Sequence, residues 1–274
     1  MQALCDGEDM SSPSDLKNPV IERMRSGGVS LGMIVRLARS GEIARVAKTT
    51  GHDFIFIDGQ HALFSIETVG HIAQTALAIG VAPLVRVRSC NDPSTSLILD
   101  NGATGIVFPD VSSDADARRA VDACKFPPVG KRSVGAGYPN FDFRPVPLTQ
   151  AVPALNDSTL VVCMIETVEG LANVEEIAAV DGVDVLHVGC NDLLTAMGLP
   201  GQFGCPQIVA AIERVIAAAK KHGKFAGLGG ERDMARQLAF IRSGVRFVTT
   251  QTDMGFLMAA ASQRTAEIRK GLGV

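Results

Sequence analysis

Two carboxylates stand where apolar segments end. VVCMIE (161–166) closes on Glu166, and VLHVG (185–189) is followed by Cys190, Asn191 and Asp192. Two acidic side chains with few other donors suit a hard divalent cation. Mg2+ or Mn2+, with Co2+ also admitted, would fill its remaining positions with water and substrate oxygens. The same residues could instead cap the helices that follow them, and Asp192 ahead of LLTAMG has the right type for that. Spacing alone leaves both readings open. FIFID (54–58) ends in Asp58 and is followed by His61. A carboxylate three residues before an imidazole can orient it and stabilise its charge, which tunes it as a general base. The alternative is a surface histidine beside a helix cap. Arg86 lies inside the apolar PLVRV (83–87). An always-charged guanidinium there needs an anion, either an oxo-acid carboxylate or a salt bridge to a neighbouring strand. Arg88 stands two residues on, on the same strand face, and competes for the role.

The segments that must position these groups alternate strand and helix. Eight strand-like runs are present: 31–35, 54–58, 83–87, 105–109, 161–166, 185–189, 225–229 and 247–253. Helix-like stretches lie between most of them, at 40–49, 65–79, 94–101, 114–124, 168–180, 206–221 and 231–243, and a last one follows at about 255–270. An additional helix near 15–26 could cover the floor. This pattern predicts an α/β fold of the (β/α)8 TIM-barrel class rather than an open doubly wound sheet. The active site of such a barrel lies at the C-terminal ends of the strands. Asp58, Arg86, Glu166, Gly189 and Asp192 all fall there, although none was used to pick the strands.

The bulk properties agree with one domain over 15–274, preceded by a polar, acidic arm over 1–14. A barrel of this kind takes about 250 residues. Hydrophobic residues make up 46% of the chain, and with no Trp and one Tyr the apolar mass is aliphatic, as buried parallel strands require. Net charge is -3 with no basic stripe, so nucleic acid is not an expected partner. No apolar run reaches the ~20 residues of a membrane span. Six cysteines without a CxxC pair suggest reduced thiols in the cytoplasm. His187, inside its strand, is expected to be buried and hydrogen-bonded. GLGG (227–230) reads as a barrel loop. The Pro- and Gly-rich segment 126–158 reads as one long loop, with KRSVGAG (131–137) at the mouth or at a subunit contact.

Four segments together resemble the HpcH/HpaI family of metal-dependent pyruvate aldolases over residues 30–260 or so. FIFIDGQHA is similar to the family's D-G-E-H-A strand end, and PLVRVRSCNDP to its V-V-R-x-x-x-N-D-P segment. FPPVGKRSVG is similar to Y-P-P-x-G-x-R-G-x-G. MIETVEGLANVEEIAAVDGVDVLHVGCNDLLTAMG follows its long I-E-T/S to G-P-x-D-L stretch. The resemblance implies Glu166 and Asp192 as metal ligands, His61 as catalytic base and Asp58 as its partner. It also implies Arg86 as the residue that binds the oxo acid, and Gly189, Cys190, Asn191 and Asp192 as the segment whose N–H groups hold the substrate carboxylate. Asp100 falls where relatives reach a neighbouring subunit's site, so a homo-oligomer, often a hexamer, is implied. Several residues depart from the pattern. Gln60 stands for Glu, Met164 for Gln, Cys190–Asn191 for Pro–Ala/Ser, and Ser133 for Gly, and one extra residue separates Arg86 from NDP.

The expected reaction is retro-aldol cleavage of a 4-hydroxy-2-oxo acid to pyruvate and an aldehyde. The alternative is an oxaloacetate decarboxylase or another enolate-forming lyase on the same site. Lys48, Lys125 and Lys131 fall in helix or loop rather than at strand ends, which argues against a Schiff-base aldolase.

Overall fold

The computed structural model describes residues 16–274, so the arm expected over 1–14 lies outside the described residues. Eight parallel strands close on themselves in sequence order. They are β1 (Ser30–Val35), β2 (Phe54–Asp58), β3 (Ala82–Arg86), β4 (Gly105–Phe108), β5 (Leu160–Ile165), β6 (Val185–Gly189), β7 (Phe225–Gly229) and β8 (Val245–Thr252). The outer layer is helical. It comprises α1 (Pro19–Arg25), α2 (Glu42–Thr49), α3 (Ile66–Ala78), α4 (Thr95–Asp100), α5 (Asp114–Cys124), α6 (Leu148–Ser158), α7 (Val168–Ala172) and α8 (Val174–Ala178). After β6 come α9 (Cys190–Ala196), α10 (Pro206–Lys221), α11 (Met234–Ser243) and α12 (Asp253–Leu272). The (β/α)8 barrel expected from the repeating pattern is the observed architecture.

Residue parity decides which side chains enter the barrel. Phe54, Phe56, Leu84, Val107, Leu160, Val162, Met164, Val185 and Phe247 form one buried cluster inside it. Alternate residues such as Ile55, Ile57, Val85, Ile106, Val161 and Ile165 form the larger cluster between strands and helices. Val20, Ile21 and Met24 of α1 join the interior cluster, so this helix plugs the floor as expected. Carried upward, the same parity aims Arg36, Asp58, Arg86, Glu166, Gly189 and Gly229 into the mouth.

Four local expectations are corrected. The stretch expected as one helix over 168–180 is two short helices split at Asn173, whose side-chain amide donates to the Ser112 carbonyl at 2.8 Å. The helix expected from 231 begins at Met234, capped by Asp233, because Glu231 turns inward to pair with Arg236. Segment 126–158 contains α6, although Pro153 inside it removes a backbone donor. Burial of Ala151 and Leu155 against Phe126, Tyr138 and Phe141 holds that helix in place. GLGG is not a loop: Gly227 and Gly229 lie within β7.

The last helix differs from the others. Among α12 residues only Asp253 is buried, and Phe256, Leu257 and Met258 stand exposed on it.

Candidate active site

The strand ends converge on a cavity of about 470 Å3. Its lining includes Arg36, Phe56, His61, Arg86, Met164, His187, Gly189, Cys190, Asn191, Asp192, Arg232 and Thr249. Six residues of the expected site, His61, Arg86, Gly189, Cys190, Asn191 and Asp192, therefore meet in one space, and Asp58 and Glu166 stand directly behind its wall.

Asp58 is fully buried and is the hub of one side. Its Oδ1 accepts from Arg86 Nε at 3.0 Å, and its Oδ2 from Arg86 Nη2 at 2.7 Å and Arg36 Nε at 2.5 Å. Burial alone would raise this carboxyl, but the Arg86 hydrogen bonds, the charges of Arg86 and Arg36, and the His61 N–H hold it down at about 2. Asp58 and Arg86 are register partners on β2 and β3, so the salt bridge to a neighbouring strand is real. It is also what aims Arg86: the guanidinium lies 5.5 Å from the Phe56 ring centre, and its Nη1 reaches toward Met164 Sδ. Arg88, the competing candidate, is exposed outside this cavity. The relation of Asp58 to His61 differs from the expected side-chain pair. Asp58 Oδ1 accepts the backbone N–H groups of Gln60 at 3.2 Å and His61 at 3.1 Å, so it shapes the turn that carries the imidazole rather than touching the ring.

On the opposite side stands Glu166. Its Oε1 accepts the Asp110 N–H at 3.0 Å, while its Oε2 is buried without any partner. Burial pushes this carboxyl up to about 7, reinforced by the negative charges of Asp110 and Asp192 and opposed by the Asp110 N–H and by Arg86. An orphaned buried oxygen beside like charges is costly unless a cation joins it. Gly189 makes room for that oxygen, because a Cβ there would lie 2.4 Å from Glu166 Oε2. The capping alternative fails for both carboxylates. Thr167 caps α7, and Asp192 sits in the first turn of α9, whose N-cap is Gly189. No group of three or more His, Cys, Asp or Glu side chains suited to a metal occurs among the described residues. A cation here would take two protein carboxylates, with other positions left for small ligands.

Some residues were missed from sequence. Arg36 has a signal: it continues the inward parity of Gly32 and Ile34 one step past β1. Arg232 has none, since the loop after β7 decides where it points. Asp110 acts through its backbone in the left-handed region, φ 54°, which no spacing rule announces. His187 is buried as expected but makes no hydrogen bond at Nδ1, and burial followed by the Arg86 charge pushes its pKa down to about 3. Segment 126–158 contributes nothing to the cavity lining. Its Arg132 pairs with Asp100 at 2.6 Å and lies over the Phe126 ring, 4.5 Å from its centre. Lysine is likewise missing from the lining, and Lys125 is buried far below, bonded to the Asn156 carbonyl at 2.6 Å.

The profile of the HpcH/HpaI aldolase/citrate lyase family matches residues 32–260 of this barrel. The chain belongs to that family. A curated relative, the 4-hydroxy-4-methyl-2-oxoglutarate aldolase of Hapsidospora irregularis, is 38% identical over 251 residues, covering 90% of this chain and 93% of its own. The 2-keto-3-deoxy-L-rhamnonate aldolase of Escherichia coli is 32% identical over 257 residues, 93% of this chain and 95% of its own. Among solved structures, an HpcH/HpaI aldolase from Desulfitobacterium hafniense superposes with a TM-score of 0.87 at 28% identity, covering 91% of this chain and 96% of its own. The protein is therefore a lyase of the aldolase kind.

Proposed function

We propose that the cavity is the centre of a divalent-metal aldolase, with Mg2+ or Mn2+ held by Glu166 and Asp192. The reaction is cleavage of a 4-hydroxy-2-oxo acid to pyruvate and a carbonyl fragment, as its aldolase relatives indicate. The observation that carries the metal assignment is the buried, partnerless Glu166 Oε2 beside Asp192. When bound, the metal supplies Lewis acidity toward the 2-oxo group.

The other roles belong to this chain's own residues. Arg86, fixed by two bonds to Asp58, sets its positive charge where the oxyanion grows at C2. The first-turn N–H groups of Cys190, Asn191 and Asp192, following Gly189, have no side-chain cap and are free to hold the C1 carboxylate. His61, at the mouth, takes the proton from the 4-hydroxyl as C3–C4 breaks. Asp58 is a positioning residue for both Arg86 and the His61 turn.

We read the surroundings in the same spirit. The exposed Phe256, Leu257 and Met258 on α12 support a homo-oligomer, a hexamer in the family's manner, to be checked by light scattering. The unbridged Cys90, Cys124, Cys163, Cys190 and Cys205 suit a cytoplasmic setting. Among the described residues no helix is long and apolar enough to cross a membrane.

The deciding experiment is pyruvate release from a panel of hydroxy-oxo acids, with oxaloacetate included, before and after EDTA dialysis and Mn2+ return. Activity that vanishes with EDTA and returns with Mn2+ supports the reading. Cleavage that survives EDTA sinks it, and release from oxaloacetate alone favours the decarboxylase instead.

A further inference from the structure

The cavity has two unlike sides. Glu166 and Asp192 follow β5 and β6, and Arg86 ends β3, so the oxo-acid half of a substrate lies on that side. The remaining wall comes from β7, β8 and the end of β1. It presents Arg36, Arg232, Thr249, Gly229 and Gly230.

The fold neutralises this second side only in part. Asp58 already serves Arg86 when it accepts from Arg36, and Arg36 uses only Nε on it. Arg232 stands exposed at the rim. Among the described residues its only side-chain hydrogen bond goes from Nη1 to the Thr250 carbonyl, at 3.0 Å. Its neighbour Glu231 is occupied by Arg236, through bonds of 2.8 and 3.0 Å. Arg232 and Arg36 are close enough that the charge of Arg36, after burial, lowers the pKa of Arg232. Two guanidinium groups lining one space, one sharing a carboxylate with Arg86 and the other with no ion pair among the described residues, are a site for a further anion. Below them, Thr249 Oγ1 and His187 Nδ1 are buried with no partner. Gly229 keeps the space between them open, since a Cβ there would lie 2.7 Å from His187 Nε2 and 2.8 Å from Thr249 Oγ1.

We infer that the β7–β8–β1 side is a carboxylate subsite in which Arg36 and Arg232 bind a second carboxylate, so that the fragment released beside pyruvate is itself a short oxo acid. This deepens the aldolase reading and rests on it. Cleavage transfers the 4-hydroxyl proton to His61 and turns C4 into a carbonyl. The C3–C4 electron pair passes to C3, which a proton then closes to the methyl of pyruvate. The carboxylate on C4 takes no part in the bonds. It is held by Arg36 and Arg232.

The test compares two substrates with metal-loaded enzyme: 4-hydroxy-4-methyl-2-oxoglutarate, whose C4 carries a carboxylate, and 4-hydroxy-2-oxopentanoate, whose C4 does not. The wild type should favour the first. Arg232→Gln should lower the ratio of their kcat/KM values about 10- to 100-fold, the loss of one charged hydrogen-bonding partner. Arg232→Lys should recover part of that ratio. An unchanged ratio in Arg232→Gln, or a wild type that favours the monoanion, overturns the inference. Calorimetric binding of 2-oxoglutarate against 2-oxopentanoate gives a second readout free of turnover. If the wild type cleaves neither hydroxy acid, the aldolase reading falls by itself. The subsite then stands if 2-oxoglutarate binds at least tenfold tighter than 2-oxopentanoate and Arg232→Gln removes that gap. It falls if the two bind alike.

Discussion

The two sides of the barrel mouth are built on different terms. On the β2–β6 side the charged side chains Asp58 and Arg86 are tied to each other within the fold. Asp58 is saturated by two arginines and two backbone N–H groups, and Glu166 leaves a single oxygen, Oε2, unanswered. On the β7–β8–β1 side the balance differs: among the described residues Arg232 has no ion pair, Arg36 shares Asp58 with Arg86, and Thr249 keeps an orphaned hydroxyl. The first side is preorganised for one chemistry, which any substrate of the reaction must meet. The second is incomplete until a particular substrate arrives, so it is where selectivity belongs.

Substitutions on the two sides should therefore fail differently. The largest effect is expected from Glu166→Gln, which keeps the shape but removes the charge behind Oε2. Turnover of every substrate should drop by a thousandfold or more, on the order of several kcal/mol of Lewis-acid stabilisation. Mn2+ affinity measured by calorimetry should fall with it. Retained Mn2+ binding would move the metal elsewhere. Next comes Arg86→Lys, which loses the two-pronged contact with Asp58. A loss of about a hundredfold in kcat, equal for dianionic and monoanionic substrates, is expected. A loss confined to one substrate would erase the distinction between the sides. Gly229→Ala should act only on the second side, because its Cβ would strike His187 and Thr249. Crowding of that kind costs about 1–3 kcal/mol. A lowered melting temperature should accompany weakened binding of the C4 carboxylate substrate, while metal affinity stays level. The smallest effect belongs to Thr249→Val. Replacing a partnerless buried hydroxyl by an isosteric methyl should leave stability level or raise it by up to about 1 kcal/mol. A marked loss of stability in thermal denaturation would mean that Thr249 has a partner after all.

Much of the first side was legible in the chain. Asp58, Arg86, Glu166 and Gly189 each lie at the end of an apolar run, and a period of two carries them to the mouth once the strands are placed. Where the reading went astray, tertiary packing had overridden a local rule. Pro153 marks a break in sequence, but burial of Leu155 keeps α6 helical. A continuous helical pattern over 168–180 breaks where the Asn173 amide is drawn to the Ser112 carbonyl. The DxxH spacing pointed to a side-chain pair, yet Asp58 spends its oxygens on two guanidinium groups and on the turn backbone, because those donors lie within hydrogen-bonding reach and both guanidinium groups are permanently charged.

By itself the sequence determined the strand order, the inward parity and the two carboxylates that follow β5 and β6, since these depend on local periodicity and residue type. Only the closed barrel decided that Glu166 Oε2 is left without a partner. The same closure brought Arg36 and Arg232, 196 positions apart by their numbers, to one wall. The physical reason is common to both. An unpaired charge is defined by everything that fails to reach it, and that is settled only when every neighbouring strand and loop has taken its place.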